Sequence, residues 1–349
     1  MKKSWVFLRS AHCGDAERHG PPPSNTLSTN EDMWTHLFLE ALSQTSGVQG
    51  VMVRMGDFYE VQYSDRLREV RLPSLDCLPE LVKKESLIIN RGGYREYLPY
   101  LERHQGIPSI YIGAGRRWNP LDRHWSPWME GVRVDVVLVD SAKQKETLDQ
   151  LQIESVVFPK PALDTFFFSK ETKPKKYDLV FNCHRPEEFK GGPWLAERVP
   201  DGCRVLVIGP ENKWLERERR KGRICVIYTG KVKRQDVAGF VSQARVAVVC
   251  DDGVCDSGPR VLPEFLAMGV PVIVRNAVRV DFQSYINDQT GRLVGDDTFE
   301  FHDALKQLLV VASSGLGRKR IIRHYMHNLS MDSAGERFCA IIERTLDGA

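Results

Sequence analysis

Two carboxylates and a proline-punctuated turn share the stretch DSGPRVLPE, residues 256–264. Its glycine and prolines break a strand and start a helix near Pro259 or Arg260, with Pro263 still in the first turn, where a missing N–H is tolerated. Such a strand-to-helix turn leaves backbone N–H groups around Gly258, Arg260 and Val261 facing outward at the positive helix end, a cradle for phosphate oxygens. Glu264 follows about one turn in, at a domain surface, where a carboxylate repels phosphate but accepts hydrogen bonds from sugar hydroxyls. Asp256, ahead of the turn, can do the same for a second ring. An anion cradle between two hydroxyl acceptors is what a sugar nucleotide requires.

Other clusters are less specific. GRRWNPLDRHWSPW (115–128) mixes Arg116, Arg117, Arg123 and His124 with Trp118, Trp125 and Trp128. Aromatic faces beside cations suit a stacked sugar or a membrane interface, and a solvated loop pinned by core tryptophans has the same composition. Arg116, Arg117 and Trp118 are the candidates for an acceptor side. The run KWLERERRKGR (213–223) alternates charge as an exposed helix face does, and His324 and His327 read as surface residues. The eight cysteines show no C-x-x-C pair and no regular spacing, so they read as reduced thiols and, as with Cys250 in ARVAVVC, small core residues.

The elements that must position these residues follow from the wider pattern. At 349 residues the chain exceeds the size at which one hydrophobic core keeps growing, which predicts two domains. A 42% hydrophobic, 27% charged composition with net charge +3 belongs to an ordinary globular protein rather than a disordered or fibrous one. A pI near 8.4 is too mild to point to nucleic acid. The opening MKKSWVFLRS resembles a signal peptide only until Arg9, so it reads as a first strand, and no stretch reaches the roughly 18 apolar residues of a membrane span. The expectation is a cytoplasmic protein, with peripheral contact at the inner membrane face left open.

Short apolar runs alternate with amphipathic segments throughout, as in parallel sheets wrapped by helices. WVFL, VQGVMVR, SLIIN, PSIYIG, VDVVLV and ESVVF are the predicted strands of residues 1–158, with a helix capped by Ser141 among the segments between them. FPKPALDTFFFSKETKPKK lacks any period and gives an interdomain linker over 159–176. YDLVFN, CRVLVIG, ICVIYTG, RVAVVC, PVIV and GRLVG are the strands of a second domain over 177–349, its last helix a candidate to cross back. The predicted class is α/β, with two Rossmann-like domains. Tandem domains of this kind usually hold a ligand in the cleft between them, at strand carboxyl ends.

Residues 158–295 resemble the donor half of retaining glycosyltransferases of family 4, which have the GT-B fold. The resemblance rests on Asp256, SGPRVLP, Glu264, FLAMG and PVIV in order, on NDQTGRLVGD with Thr290 and Gly291, and on HRPEEFKGG after the YDLVFN strand. YTGKVKRQDVAGFVSQARVAVV and FPKPALDTFFF add to it. It implies transfer of a sugar from a nucleotide diphosphate to a hydroxyl acceptor (glycan, lipid-linked or small molecule) with retention, as in glycan or cell-envelope biosynthesis. It places Arg185 and Lys190 on the diphosphate, Glu264 on the ribose and Asp256 on the transferred sugar, with Asp256, Arg185 and Lys190 forming the catalytic set. It also implies no cofactor and no metal, basic residues and a helix end neutralising the leaving group in place of acids such as Asp251 and Asp252. This chain has Asp256 where the family usually has Glu, and its first domain lacks the family's glycine-rich loop and a His after PSIYIG. A nucleotide-sugar epimerase of similar fold and a non-catalytic sugar-nucleotide binder are the alternatives.

Overall fold

The structure, a computed structural model, describes residues 3–9, 33–55, 58–72, 74–78, 85–91, 97–113, 131–162, 173–183, 190–251, 260–277 and 281–348. The chain divides into two compact units. The first comprises Met1–Val139, Gln144–Phe158 and Ala334–Ala349, and the second Asp140–Lys143 and Pro159–Ser333.

In the first unit, strands β1 (Lys3–Arg9), β2 (Val48–Met55), β3 (Tyr59–Gln62), β4 (Leu67–Leu72), β5 (Glu85–Arg91), β6 (Ser109–Ile112), β7 (Val136–Val139) and β8 (Ser155–Val157) form one sheet. Its order is β3-β4-β2-β1-β5-β6-β7-β8, parallel except where β3 runs against β4. Helices α1 (Met33–Ser43), α2 (Leu98–Arg103) and α3 (Ala142–Gln150) cross between strands. The alternation of β1 explains its burial on both faces: Val6 and Leu8 join a core with Tyr97 and Tyr100 beside α2, while Trp5 and Phe7 meet Phe38 of α1.

The β3–β4 pair is absent from the sequence reading. Its apolar period is interrupted by Glu69, buried in β4 and held by Arg54 at 2.7 Å and by the Tyr63 hydroxyl at 2.9 Å. A carboxylate in a core position makes a strand look like a polar connection, because hydropathy alone cannot register its partners.

In the second unit, β9 (Tyr177–Asn182), β10 (Arg204–Ile208), β11 (Cys225–Tyr228), β12 (Ala244–Val249), β13 (Val272–Arg275) and β14 (Gly291–Val294) form a parallel sheet ordered β11-β10-β9-β12-β13-β14. Between and after these strands lie α4 (Gly192–Arg198), α5 (Lys213–Arg220), α6 (Arg234–Val241), α7 (Val261–Ala267), α8 (Thr298–Ser313), α9 (Gly315–Asn328) and α10 (Met331–Asp347). Val246 and Val248 of β12 pack on one core with Trp194 of α4 and Phe301 of α8. Ala247 and Val249 pack on the other with Phe265 of α7 and Tyr325 of α9. Burial on both faces is why the strand sequence is a continuous apolar run. The charged helix α5 is not simply an exposed face: Glu216 and Glu218 are buried under their own bases, Arg219 and Arg220 on the first and Lys221 and Arg223 on the second. Arg219 and Arg220 hold the Glu216 carboxyl down at about 2. Helix α9 also lies outside the elements predicted from sequence.

Two connections differ from the expected boundaries. Asp140–Lys143 group with the second unit although they follow β7. Asp140 is buried and pairs with Lys160 Nζ at 2.9 Å, while Lys143 Nζ donates to Asn276 and to the Ala277 carbonyl. The Tyr285 hydroxyl closes the network, donating to Asp140 at 3.4 Å and accepting from the Lys160 amide at 2.8 Å. The described ends of the expected linker are packed too, with Ala162 in the core and Lys175 donating to the Ser242 and Ala244 carbonyls. Burial pushes the Lys175 amine down to about 8, with Arg318 and Arg245 adding repulsion. From Ala334 onward α10 groups with the first unit, Phe338 lying on Phe158.

Removing one partner of a buried ion pair leaves the other charge uncompensated. Asp140→Ala is expected to lower stability by about 3 kcal/mol, seen as a lower urea midpoint. An unchanged midpoint would assign the network no structural weight.

Candidate functional site

Parallel strands carry their carboxyl ends to one edge, and β9 and β12 are hydrogen-bonded neighbours. The segments leaving them are therefore adjacent. Lys190 Nζ lies 2.8 Å from Asp251 Oδ2, with side chains 13% and 4% exposed. An ammonium and a carboxylate so far removed from water are stable only when paired, and the pairing fixes where the lysine points.

Gly191 makes this approach possible. Its φ is +78°, a left-handed conformation, and a Cβ there would sit 2.0 Å from the Cys250 carbonyl oxygen. Only glycine meets both conditions. The Cys250 thiol lies against the carbonyls of Lys190 and Gly191 at 3.5 and 3.4 Å. Complete burial pushes that thiol well above the ordinary range, with Cys183 and Asp251 pushing the same way. It is a neutral structural group rather than a nucleophile. Helix α4 starts directly after Gly191 and is anchored by Trp194, whose indole N–H donates to Asp296 at 2.8 Å beneath the guanidinium groups of Arg198 and Arg275.

Arg275 ends β13, beside β12, and Cys250 feels its charge together with that of Lys190. Sequence reasoning passed over it. The available signal was a cation directly after PVIV, at the edge where Lys190 was expected.

Glu264 lies in α7, which starts at Val261 with Arg260 as the preceding residue; Arg260 is exposed and Val261 partly buried. Glu264 itself is 6% exposed, so the expectation of a carboxylate at an open surface is corrected. The reason is packing, since Leu262, Phe265 and Leu266 bring the whole short helix into the core. Thr290 and Gly291 serve the fold. The Thr290 hydroxyl accepts from the Asn287 amide at 2.8 Å, and a Cβ on Gly291 would lie 2.7 Å from the Val272 carbonyl oxygen. They form the turn that enters β14, at the amino edge of the sheet. Arg185, Asp252, Asp256, Gly258, Arg116, Arg117 and Trp118 lie outside the described residues. Among the described residues no three His, Cys, Asp or Glu side chains are grouped to hold a metal ion, and no helix is long and apolar enough to cross a membrane.

Two Rossmann-like α/β units, their sheets mainly parallel, match the fold of the GT-B glycosyltransferase structures. Residues 183–310 match the family described as Glycosyl transferases group 1. No curated protein matches the sequence. A sucrose-phosphate synthase from Thermosynechococcus elongatus superposes with a TM-score of 0.66 at 17% identity, covering 99% of this chain and 100% of that one. A glycosyltransferase from Rickettsia africae gives 0.65 at 13%, covering 100% of both chains. A UDP-forming α,α-trehalose-phosphate synthase from Burkholderia xenovorans, solved with glucose-6-phosphate, gives 0.56 at 12%, covering 99% and 100%. The family match and these neighbours support a GT-B glycosyltransferase.

Gly191→Ala places a methyl against backbone and forces a left-handed alanine. The expected loss is at least about 2 kcal/mol, measured by urea unfolding. A variant as stable as the parent would show that the 190–191 segment can move away from Cys250 without cost.

Proposed function

We propose that the protein transfers a sugar from a nucleotide diphosphate to a hydroxyl acceptor with retention at the anomeric carbon. The observation that carries this reading is the Lys190–Asp251 pair, held at the carboxyl edge of the second unit's sheet within the segment that matches the glycosyltransferase family. Lys190 is the cation for the diphosphate, with Arg185 as its partner. An ammonium carries three N–H donors and can bond a carboxylate and phosphate oxygens together. Asp251 thus positions the lysine rather than touching the donor. Gly258, Arg260 and Val261 supply backbone N–H groups at the start of α7, Glu264 accepts from the ribose hydroxyls, and Asp256 holds the transferred sugar.

In this reading catalysis is electrostatic. Negative charge grows on the leaving diphosphate as the glycosidic bond breaks, and cations already fixed in place stabilise it without reorganising. The burial of Lys190 strengthens each such interaction relative to bulk water. Basic residues fill the role that a divalent ion fills elsewhere, so the reaction needs no metal.

Thermal shift with UDP, GDP and ADP selects the nucleotide, because a ligand of the folded state raises Tm. Calorimetry with that nucleotide then separates the two contacts. Lys190→Gln is expected to weaken the diphosphate by about 1.5–3 kcal/mol while sparing the unphosphorylated nucleoside. Glu264→Gln is expected to weaken both. If Lys190→Gln binds the diphosphate like the parent, the lysine is not at the donor site.

Turnover of the matching nucleotide sugar is expected to require an acceptor, to give a product of unchanged anomeric configuration by NMR, and to persist in EDTA. Isomerisation of the donor alone would indicate an epimerase. Activity lost in EDTA and restored by manganese or magnesium would redirect attention to Asp251 and Asp252.

A further inference from the structure

The amino edge of the second unit's sheet holds a separate cavity of about 360 Å³, lined by Asn287, Gln289, Arg320, Arg323, His324 and His327. It lies beside the turn that enters β14, whereas Lys190 and Asp251 follow the carboxyl ends of β9 and β12 and Arg275 ends β13.

Four of the six lining residues come from α9 at positions 320, 323, 324 and 327, the i, i+3, i+4, i+7 spacing of a single helix face. The helix reads GLGRKRIIRHYMHN and contains no acid. A solvated surface helix normally intersperses both signs, and like charges three residues apart repel. The helix dipole favours a cation in the last turn and so accounts for His327, but its effect falls off before Arg320, in the middle of the helix. Among the described residues neither Arg320 nor Arg323 has an ion-pair or hydrogen-bond partner, and both are exposed.

His324 builds the wall. Its Nε2 meets the Tyr285 carbonyl at 3.0 Å, while its Nδ1 receives the side-chain amides of Asn287 at 3.0 Å and Asn328 at 3.2 Å. Amide N–H groups at Nδ1 require that nitrogen to accept, which leaves the proton on Nε2 and the ring neutral. Burial, partly offset by the bond to Tyr285, lowers its pKa accordingly. Asn287 in turn accepts the Gln289 amide N–H at 2.9 Å. The 287–289 turn is thereby held against α9, and Gln289 lines the cavity together with Arg320 and Arg323.

We infer that this cavity binds a phosphate monoester group, with Arg320 and Arg323 as the charged donors and His327 and Gln289 completing the ring. A planar guanidinium can donate two N–H bonds to two oxygens of one phosphate group, which an ammonium, a point charge, does not match. The phosphate is carried either by a soluble ester or by an anionic lipid headgroup. The inference is independent of the donor site.

The test is a titration of the full chain with inorganic phosphate at constant ionic strength, read by NMR at the ring protons of His324 and His327. That readout senses this cavity and not the sheet's other edge. A saturable shift is expected, weakened at least about tenfold in Arg320→Gln/Arg323→Gln. Both positions are exposed and glutamine is a good helix former, so the urea midpoint checks that the variant folds as the parent does. In parallel, sedimentation compares vesicles of phosphatidylcholine with vesicles containing phosphatidic acid. Retention on the acidic vesicles alone, lost in the variant, assigns the headgroup as the source. A phosphate response without vesicle retention assigns a soluble ester. Absence of both responses, or equal responses in parent and variant, overturns the inference.

Discussion

The second unit is organised around an ammonium and a carboxylate that are both nearly out of water. Lys190 and Asp251 come from segments 61 residues apart, and each would be costly to bury alone. Their pairing sets three further requirements. The strands before them must be neighbours, which the order β9-β12 provides. The backbone at 191 must touch the backbone at 250, which only a glycine allows. The thiol beneath them must stay neutral, which its burial ensures.

Parallel winding separates the two edges of this sheet chemically. At the carboxyl edge Lys190 is tied to the buried Asp251, and Arg275 to the exposed Asp296. At the amino edge α9 presents cations with no acid of its own, against a turn stiffened by Thr290, Asn287 and His324. Held cations suit a site where charge develops during reaction, and open ones suit capture of a charged group already formed.

Buried polar networks recur elsewhere under the same rule. Glu69 in the first unit is satisfied by Arg54 and Tyr63, and Asp140 in the second by Lys160 and Tyr285. The Asp140 network has a topological consequence. It draws a short segment after β7 into the second unit, so the boundary between units is not a single point in the chain.

The second unit's strands were legible because a strand buried on both faces must be apolar at every position, as RVAVVC and PVIV are, and that is a property of adjacent residues. The NDQTG stretch before β14 stood out only through the family resemblance, and the structure makes it a turn where Gly291 has no room for a side chain. Strand β4 was hidden by Glu69, and α9 by the many charges on its outer face. Lys190 was singled out by the resemblance of HRPEEFKGG to the family's phosphate pair, but Asp251 could not be named as its partner. Nor could it be foreseen that Arg320, Arg323 and His327 line one cavity with Gln289. Local periodicity records which faces are buried, because burial acts residue by residue. Which charges meet depends on the order of strands in the sheet and the docking of α9 against the 287–289 turn, and those are decided by packing between segments far apart in the chain.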